Sequence, residues 1–189
     1  MTSQLLLDRL EFLTVNIRCN VKAEVARDEV FPQLNVDFEN YNLLLRSGLQ
    51  YDPQSANDPR HFALTYGIKL EPKKGENTVP YEVEVDAVAF LRFEGDEHVG
   101  QDRFRAVRMS GYQILHGAIR EMVANVTSRS RHGTMQLPAR NFNARAKADA
   151  ESDEKLRLER LGAIVEVEST KLASPTPSPS PSRARKRLK

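Results

Sequence analysis

The stretch "HFALTYGIKLEPKKGENTVPYEVEVDAVAFLRFEG", His61–Gly95, decides the fold. Phe62, Leu64, Tyr66, Ile68 and Leu70 alternate with Ala63, Thr65, Gly67, Lys69 and Glu71. A period of two puts the first set on one face of a strand and the second on the other. Gly75 and Asn77 in "KKGENT" then supply a turn. Beyond it Tyr81, Val83 and Val85 oppose Glu82, Glu84 and Asp86. After Ala87 both faces become apolar, at Val88, Ala89, Phe90 and Leu91, which predicts cover on both sides there. Two long strands joined by a short turn make a hairpin.

Upstream, "LTVNIRCNVKAEV", Leu13–Val25, sets seven apolar residues on one face against none on the other, which predicts a half-buried strand. Leu34, Val36 and Phe38 repeat the alternation briefly. The stretch 40–60, "NYNLLLRSGLQYDPQSANDPR", reads as a strand or helical turn followed by a loop. Strands that follow one another without intervening helices favour an antiparallel sheet with one exposed face.

Downstream the period changes. Ser110 and Gln113 form a capping box. Tyr112, Leu115, Ile119, Met122 and Val126 then recur at helical spacing, against a wet face of Gln113, His116, Arg120, Glu121 and Asn125. Gly117 interrupts this helix at a cost of roughly 1 kcal/mol relative to Ala and invites close approach of another backbone. "RHG" predicts a stop near Ser130. Residues 144–161 predict a second helix, whose first half has only alanine to bury. "GAIVEVES", 162–169, is strand-like, and "SPTPSPSPS", 174–182, predicts an extended linker. Strands followed by helices define an α+β protein.

The chain has 189 residues, enough to bury a core. Its single cysteine, Cys19, excludes an internal disulfide framework and is read as a small apolar residue in a reducing compartment. No stretch approaches the ~20 apolar residues that span a bilayer, and Asp8 and Glu11 break up the N-terminal run, so a cytoplasmic protein without membrane insertion is expected. The net charge of +2 conceals a division. "RARKRLK" at the end holds five basic groups, and the remainder carries 23 basic against 26 acidic residues. Any nucleic-acid affinity belongs to that tail and would be weak and salt-sensitive.

Catalytic chemistry finds no foothold. His61, His98, His116 and His132 have no metal-ligand spacing, and no phosphate loop, nucleophile elbow or dinucleotide fingerprint occurs. Asp96/Glu97 and Asp153/Glu154 read as solvated charge. No enzyme, metal or cofactor is expected. Glu82, Glu84 and Asp86 line one strand face, either as a plain solvent face or as an acidic docking surface.

Residues 114–142, "ILHGAIREMVANVTSRSRHGTMQLPARNF", carry a resemblance. Ile114-Leu115, Arg120-Glu121, Ser128-Arg129, Leu137 and Asn141-Phe142 follow one another without a gap. Together with the hairpin and its Gly75-Glu76 turn, this resembles the SecB family of protein-export chaperones across residues 62–146. The resemblance implies a four-stranded antiparallel sheet packed against a long helix, with a second C-terminal helix. It implies a homotetramer built as a dimer of dimers. It also implies an ATP-independent holdase that binds unfolded or precursor proteins and passes them to the SecA motor.

Under that reading, 1–143 form the chaperone domain, 144–173 a helical extension and 174–189 a Ser/Pro-rich basic tail. Phe90, Leu137 and Phe142 are the expected client contacts, and Tyr112, Leu115, Ile119 and Met122 the expected oligomer interface. Partner docking falls to Glu82 and Glu84, one residue out of register from the gapless alignment, which places Tyr81 and Val83 there. Two departures from the family stand out. Ala144, Ala146 and Ala148 occupy positions that are usually bulky and apolar, and the tail is basic where the family's is commonly acidic. They keep open a chaperone dedicated to a narrow client, such as an antitoxin, and a nucleic-acid-associated protein acting through the tail.

Overall fold

A computed structural model describes residues 5–23, 36–74 and 79–172, with side-chain surroundings as far as residue 162. Four strands, β1 (Leu5–Cys19), β2 (Tyr41–Tyr51), β3 (His61–Pro72) and β4 (Tyr81–Phe93), precede two helices, α1 (Gln101–Thr127) and α2 (Asn143–Leu172). The sheet runs β1-β4-β3-β2 and is antiparallel throughout, so the protein is α+β with strands first and helices after. The turn at Gly75 and Asn77, Val25, Leu34, the Ser/Pro stretch and the basic tail lie outside the described residues.

The hairpin takes the expected faces. Phe62, Leu64, Tyr66, Ile68 and Leu70 of β3 are buried beside Tyr81, Val83, Val85, Ala87, Ala89, Leu91 and Phe93 of β4. Ile68 pairs with Val85 and Leu70 with Val83, so the two apolar faces are one surface. The ambiguous stretch 40–60 resolves into β2, whose Leu43, Leu45 and Leu49 pair with Leu70, Ile68 and Leu64 on that same surface.

The first strand differs from its expected form. It begins at Leu5 rather than Leu13 and ends at Cys19. Its pairing with β4 slips between Leu7 and Arg9 and again between Phe12 and Thr14. Each slip inserts one extra residue, and a β-bulge absorbs it. The bulges bring Leu5, Leu7, Leu10, Phe12, Val15, Ile17 and Cys19 opposite the buried residues of β4. Leu13 falls in the second bulge and is 58% exposed, so it leaves the apolar face the alternation assigns it to. Cys19 is half-buried and free.

Helix α1 starts nine residues before Ser110, so no capping box opens it there. Gly100 precedes it at φ 53°, a backbone that glycine adopts without strain, and Asp102 in the first turn complements the helix dipole. The stretch 101–109 hides its periodicity because its buried face holds Arg103 and Arg108 beside Phe104 and Val107. The close approach to the sheet occurs at Gly111 and not at Gly117. A Cβ on Gly111 would lie 2.3 Å from Leu64 Cδ2, whereas one on Gly117 would meet nothing within 4 Å.

The alanines of α2 pack instead of flooring a groove: Ala146 and Ala150 are buried in the core, while Ala144 and Ala148 are exposed. Small residues let the two helices lie close, and polar bonds then lock them. Arg108 Nε and Nη2 donate to Asp153 at 2.7 and 2.8 Å, and Arg108 Nη1 donates to the Tyr112 hydroxyl at 2.7 Å. That hydroxyl also bonds Asp149 and lies 2.9 Å from Ser47 Oγ on β2. Burial works against the charge on Arg108, but the bonds to Asp153 win and raise its pKa. Asp153 and Glu154 are therefore not solvated, since Asp153 holds Arg108 and Glu154 holds Arg157 at 2.8 Å. The strand-like stretch 162–169 continues α2 as helix. Helix propensities differ by only ~0.7 kcal/mol among ordinary residues, so Ile164 and Val165 do not end a running ladder.

Candidate functional site

Helices cover one face of the sheet. Among the described residues, no layer covers the other. The tail end of β4 was expected to be sealed on both sides, and it is sealed in part. Val88 is buried on the open face, but Phe90 is only half-buried, with the Arg9 guanidinium stacked 4.4 Å above its ring. The neighbouring strands supply that cover.

Glu82 and Glu84 stand on the open face, since their chain neighbours Tyr81, Val83 and Val85 are buried under the helices. This register places Tyr81 and Val83 out of reach of a docking partner. Glu82 is exposed and pairs across the ladder with Arg18. Glu84 is engaged: Arg46 Nη2 donates to it at 3.0 Å and to Asp86 at 2.8 Å, which raises the pKa of Arg46. The face therefore alternates both signs of charge, and Arg18, Lys69, Glu82 and Glu84 surround a shallow hollow of about 210 Å³.

On the helix side a different recess forms beside β2. Ile68 and Leu70 make its floor, Phe38 and Leu43 one wall, and His116, Leu137, Pro138 and Arg140 the other. It measures about 70 Å³, the scale of a single side chain, against roughly 300–1,000 Å³ for pockets that hold drug-sized ligands. Leu43 at its mouth is 45% exposed. Beside it, β2 forms an edge of the sheet with one partner strand among the described residues.

Two clamps from α1 hold the far wall. The His116 Nε2–H donates to the Pro138 carbonyl at 2.9 Å, and Arg120 Nε donates to the Leu137 carbonyl at 2.7 Å. His116 thus sits buried and satisfied beneath the connecting segment, away from the wet face expected for it. Its Nδ1 lies 3.5 Å from the Tyr66 hydroxyl. Burial lowers the pKa of His116, and Arg120 and Arg140 lower it further. Burial pushes the Tyr66 phenol up to about 12. An aromatic cluster backs this wall: Phe142 lies 5.8 Å from Tyr66, 5.4 Å from Tyr112 and 5.4 Å from His116.

The expected client contacts do not come together. Leu137 lines the recess and Phe142 is sealed behind it, whereas Phe90 is on the opposite face of the sheet. Tyr112, Leu115 and Ile119 are fully buried in the chain's own core, and only Met122 of that set keeps partial exposure. Phe38, Leu43 and Arg140 escaped the sequence reading. Leu43 alternates with Leu45 and Leu49 along one face, a signal that was available. Among the described residues no three His, Cys, Asp or Glu side chains gather as a metal site, and no helix is long and apolar enough to cross a membrane.

The fold and recess define an α+β sheet-and-helix scaffold with an apolar recess along an edge strand. No family model and no curated protein matches the chain. Among solved structures it is similar to a SecB-like chaperone of Mycobacterium tuberculosis bound to a peptide from an antitoxin. That similarity has 15% identity and a TM-score of 0.49, over 73% of this chain and 88% of that one. It is also similar to a Streptococcus agalactiae protein of unknown function, at 7% identity and a TM-score of 0.40, over 74% and 100% of the two chains.

Proposed function

We propose that this chain is an ATP-independent holdase of the SecB type, which binds unfolded or precursor polypeptides by non-covalent capture and keeps them competent for Sec export. The observation that carries the reading is the apolar recess at the β2 edge, with Leu43 half in water at its mouth. An extended client would set an apolar side chain into it while its backbone follows the edge strand. Leu7 and Val15 on β1 and Leu44 on β2 add exposed apolar surface along both edges of the sheet. Met122, with half-buried Ile114 and Ala118 on the same flank of α1, suits a contact between copies in a homotetramer. Glu82 remains open for a partner such as SecA.

The small recess favours one second reading, a chaperone dedicated to a narrow client such as an antitoxin. Apolar capture scales with buried area, at ~25 cal/mol per Å², and this surface offers little of it. The test is suppression of aggregation of a chemically unfolded protein without nucleotide, alongside a light-scattering mass. A well-folded oligomer that leaves aggregation unchanged for every client tried would sink the holdase reading.

A further inference from the structure

Among the described residues, Arg140 is the only permanently charged one lining the recess. It is exposed and makes no hydrogen bond or ion pair with any described residue. The neighbouring cations are engaged: Arg120 holds the Leu137 carbonyl, and Arg145 reaches Asp149 and Ser47. His116, the other ionisable lining group, donates through Nε2–H to Pro138, and burial lowers its pKa. Among the described residues, no carboxylate lines the recess. Asp37, which flanks Phe38, caps its own turn by accepting from the Glu39 N–H at 2.9 Å.

We infer that the recess selects extended polypeptide segments in which an apolar anchor lies within a few residues of a carboxylate, and that Arg140 determines this preference. The inference rests on the holdase reading. The anchor occupies the apolar floor of Ile68 and Leu70, and the carboxylate meets the guanidinium fork, whose geometry matches it two bonds at a time. The apolar wall beside Arg140 excludes part of the competing water. A segment with Lys or Arg at the same place brings two like charges together, so the mouth discriminates by repulsion as well as attraction.

The experiment uses the full chain and three synthetic peptides, identical except for Glu, Gln or Lys flanking one Leu-Phe anchor, read by fluorescence anisotropy. The expected order is Glu, then Gln, then Lys, with about two- to fivefold between steps, as for an exposed ion pair. The spread narrows as salt rises. Arg140→Gln levels the Glu and Gln peptides, and Arg140→Glu reverses the order. Because Arg140 is exposed, both variants keep the native melting temperature. Measurable but equal binding of the three peptides, or an acidic preference that survives in Arg140→Glu, overturns this inference and leaves the holdase reading standing. Failure of all three peptides to bind, together with no suppression of aggregation, removes that reading and this one with it.

Discussion

Arg108 on α1 and Asp153 on α2 meet in a two-pronged ion pair, 2.7 and 2.8 Å, with both side chains almost sealed from water. Two charges taken out of water attract strongly, yet their lost hydration largely offsets the gain. The pair therefore registers α2 against α1 more than it strengthens the fold. Removing one partner strands the other.

The single variant Asp153→Ala leaves a buried, uncompensated guanidinium. It is expected to lose about 3 kcal/mol, or roughly 6–12 °C in melting temperature. The double variant Arg108→Met with Asp153→Leu should lie closer to native than either single change. Thermal melts of the native protein, Arg108→Met, Asp153→Leu and the double variant decide it: a double variant as unstable as the sum of its singles contradicts the argument.

The two helical glycines give opposite outcomes. At Gly111 an added methyl lands on Leu64 and Leu91, so Gly111→Ala is expected to destabilise by about 1–3 kcal/mol through overpacking. At Gly117 the space is open among the described residues, so alanine gains up to about 1 kcal/mol of helix propensity. Urea unfolding of both variants reads the contrast. Equal effects would show that helix packing at Gly111 is not close.

His116 ties stability to pH in a defined direction. Burial lowers its pKa in the folded protein, so below the ordinary value near 6.5 the unfolded chain binds more protons than the folded one. The stability it contributes is full above that value and is lost as the pH falls below it. The native protein should lose more stability between pH 7 and pH 5 than His116→Gln does. Parallel melting curves for the two across that range would refute the assignment.

Leu43 separates capture from folding. It is 45% exposed, so Leu43→Ser should shift stability by no more than about 0.5 kcal/mol. Under the holdase reading it should weaken aggregation suppression severalfold, since it removes apolar surface at the mouth of the recess. Leu137→Ala behaves otherwise: the residue is buried, and its loss should cost about 2–5 kcal/mol as a cavity. Unchanged suppression by Leu43→Ser at native stability would move the capture surface elsewhere, with the exposed edge of β1 the next place to test.

How much of this was legible beforehand depends on whether a residue's surroundings follow from its neighbours in the chain. Backbone geometry imposes a period of two on strands and of 3.6 on helices, so the order of residues determined by itself the hairpin of β3 and β4, the faces of each and the apolar stripe Tyr112, Leu115, Ile119, but not that the chain's own sheet would cover that stripe where a contact between copies was expected. It also carried the parity that puts Phe90 with Glu82 and Glu84, away from the helices. Only the tertiary structure decided the rest. Arg108 and Asp153 are 45 positions apart, so neither one's sequence context reveals that it will be desolvated. The bulges of β1 arise from register against β4 and not from β1 alone. The recess joins Leu43 to Leu137 and Arg140 across nearly one hundred residues, and it exists because α1 pins the following segment over the edge of the sheet. Periodicity is a local property of the chain, whereas burial, pairing and recesses are properties of what folding brings alongside.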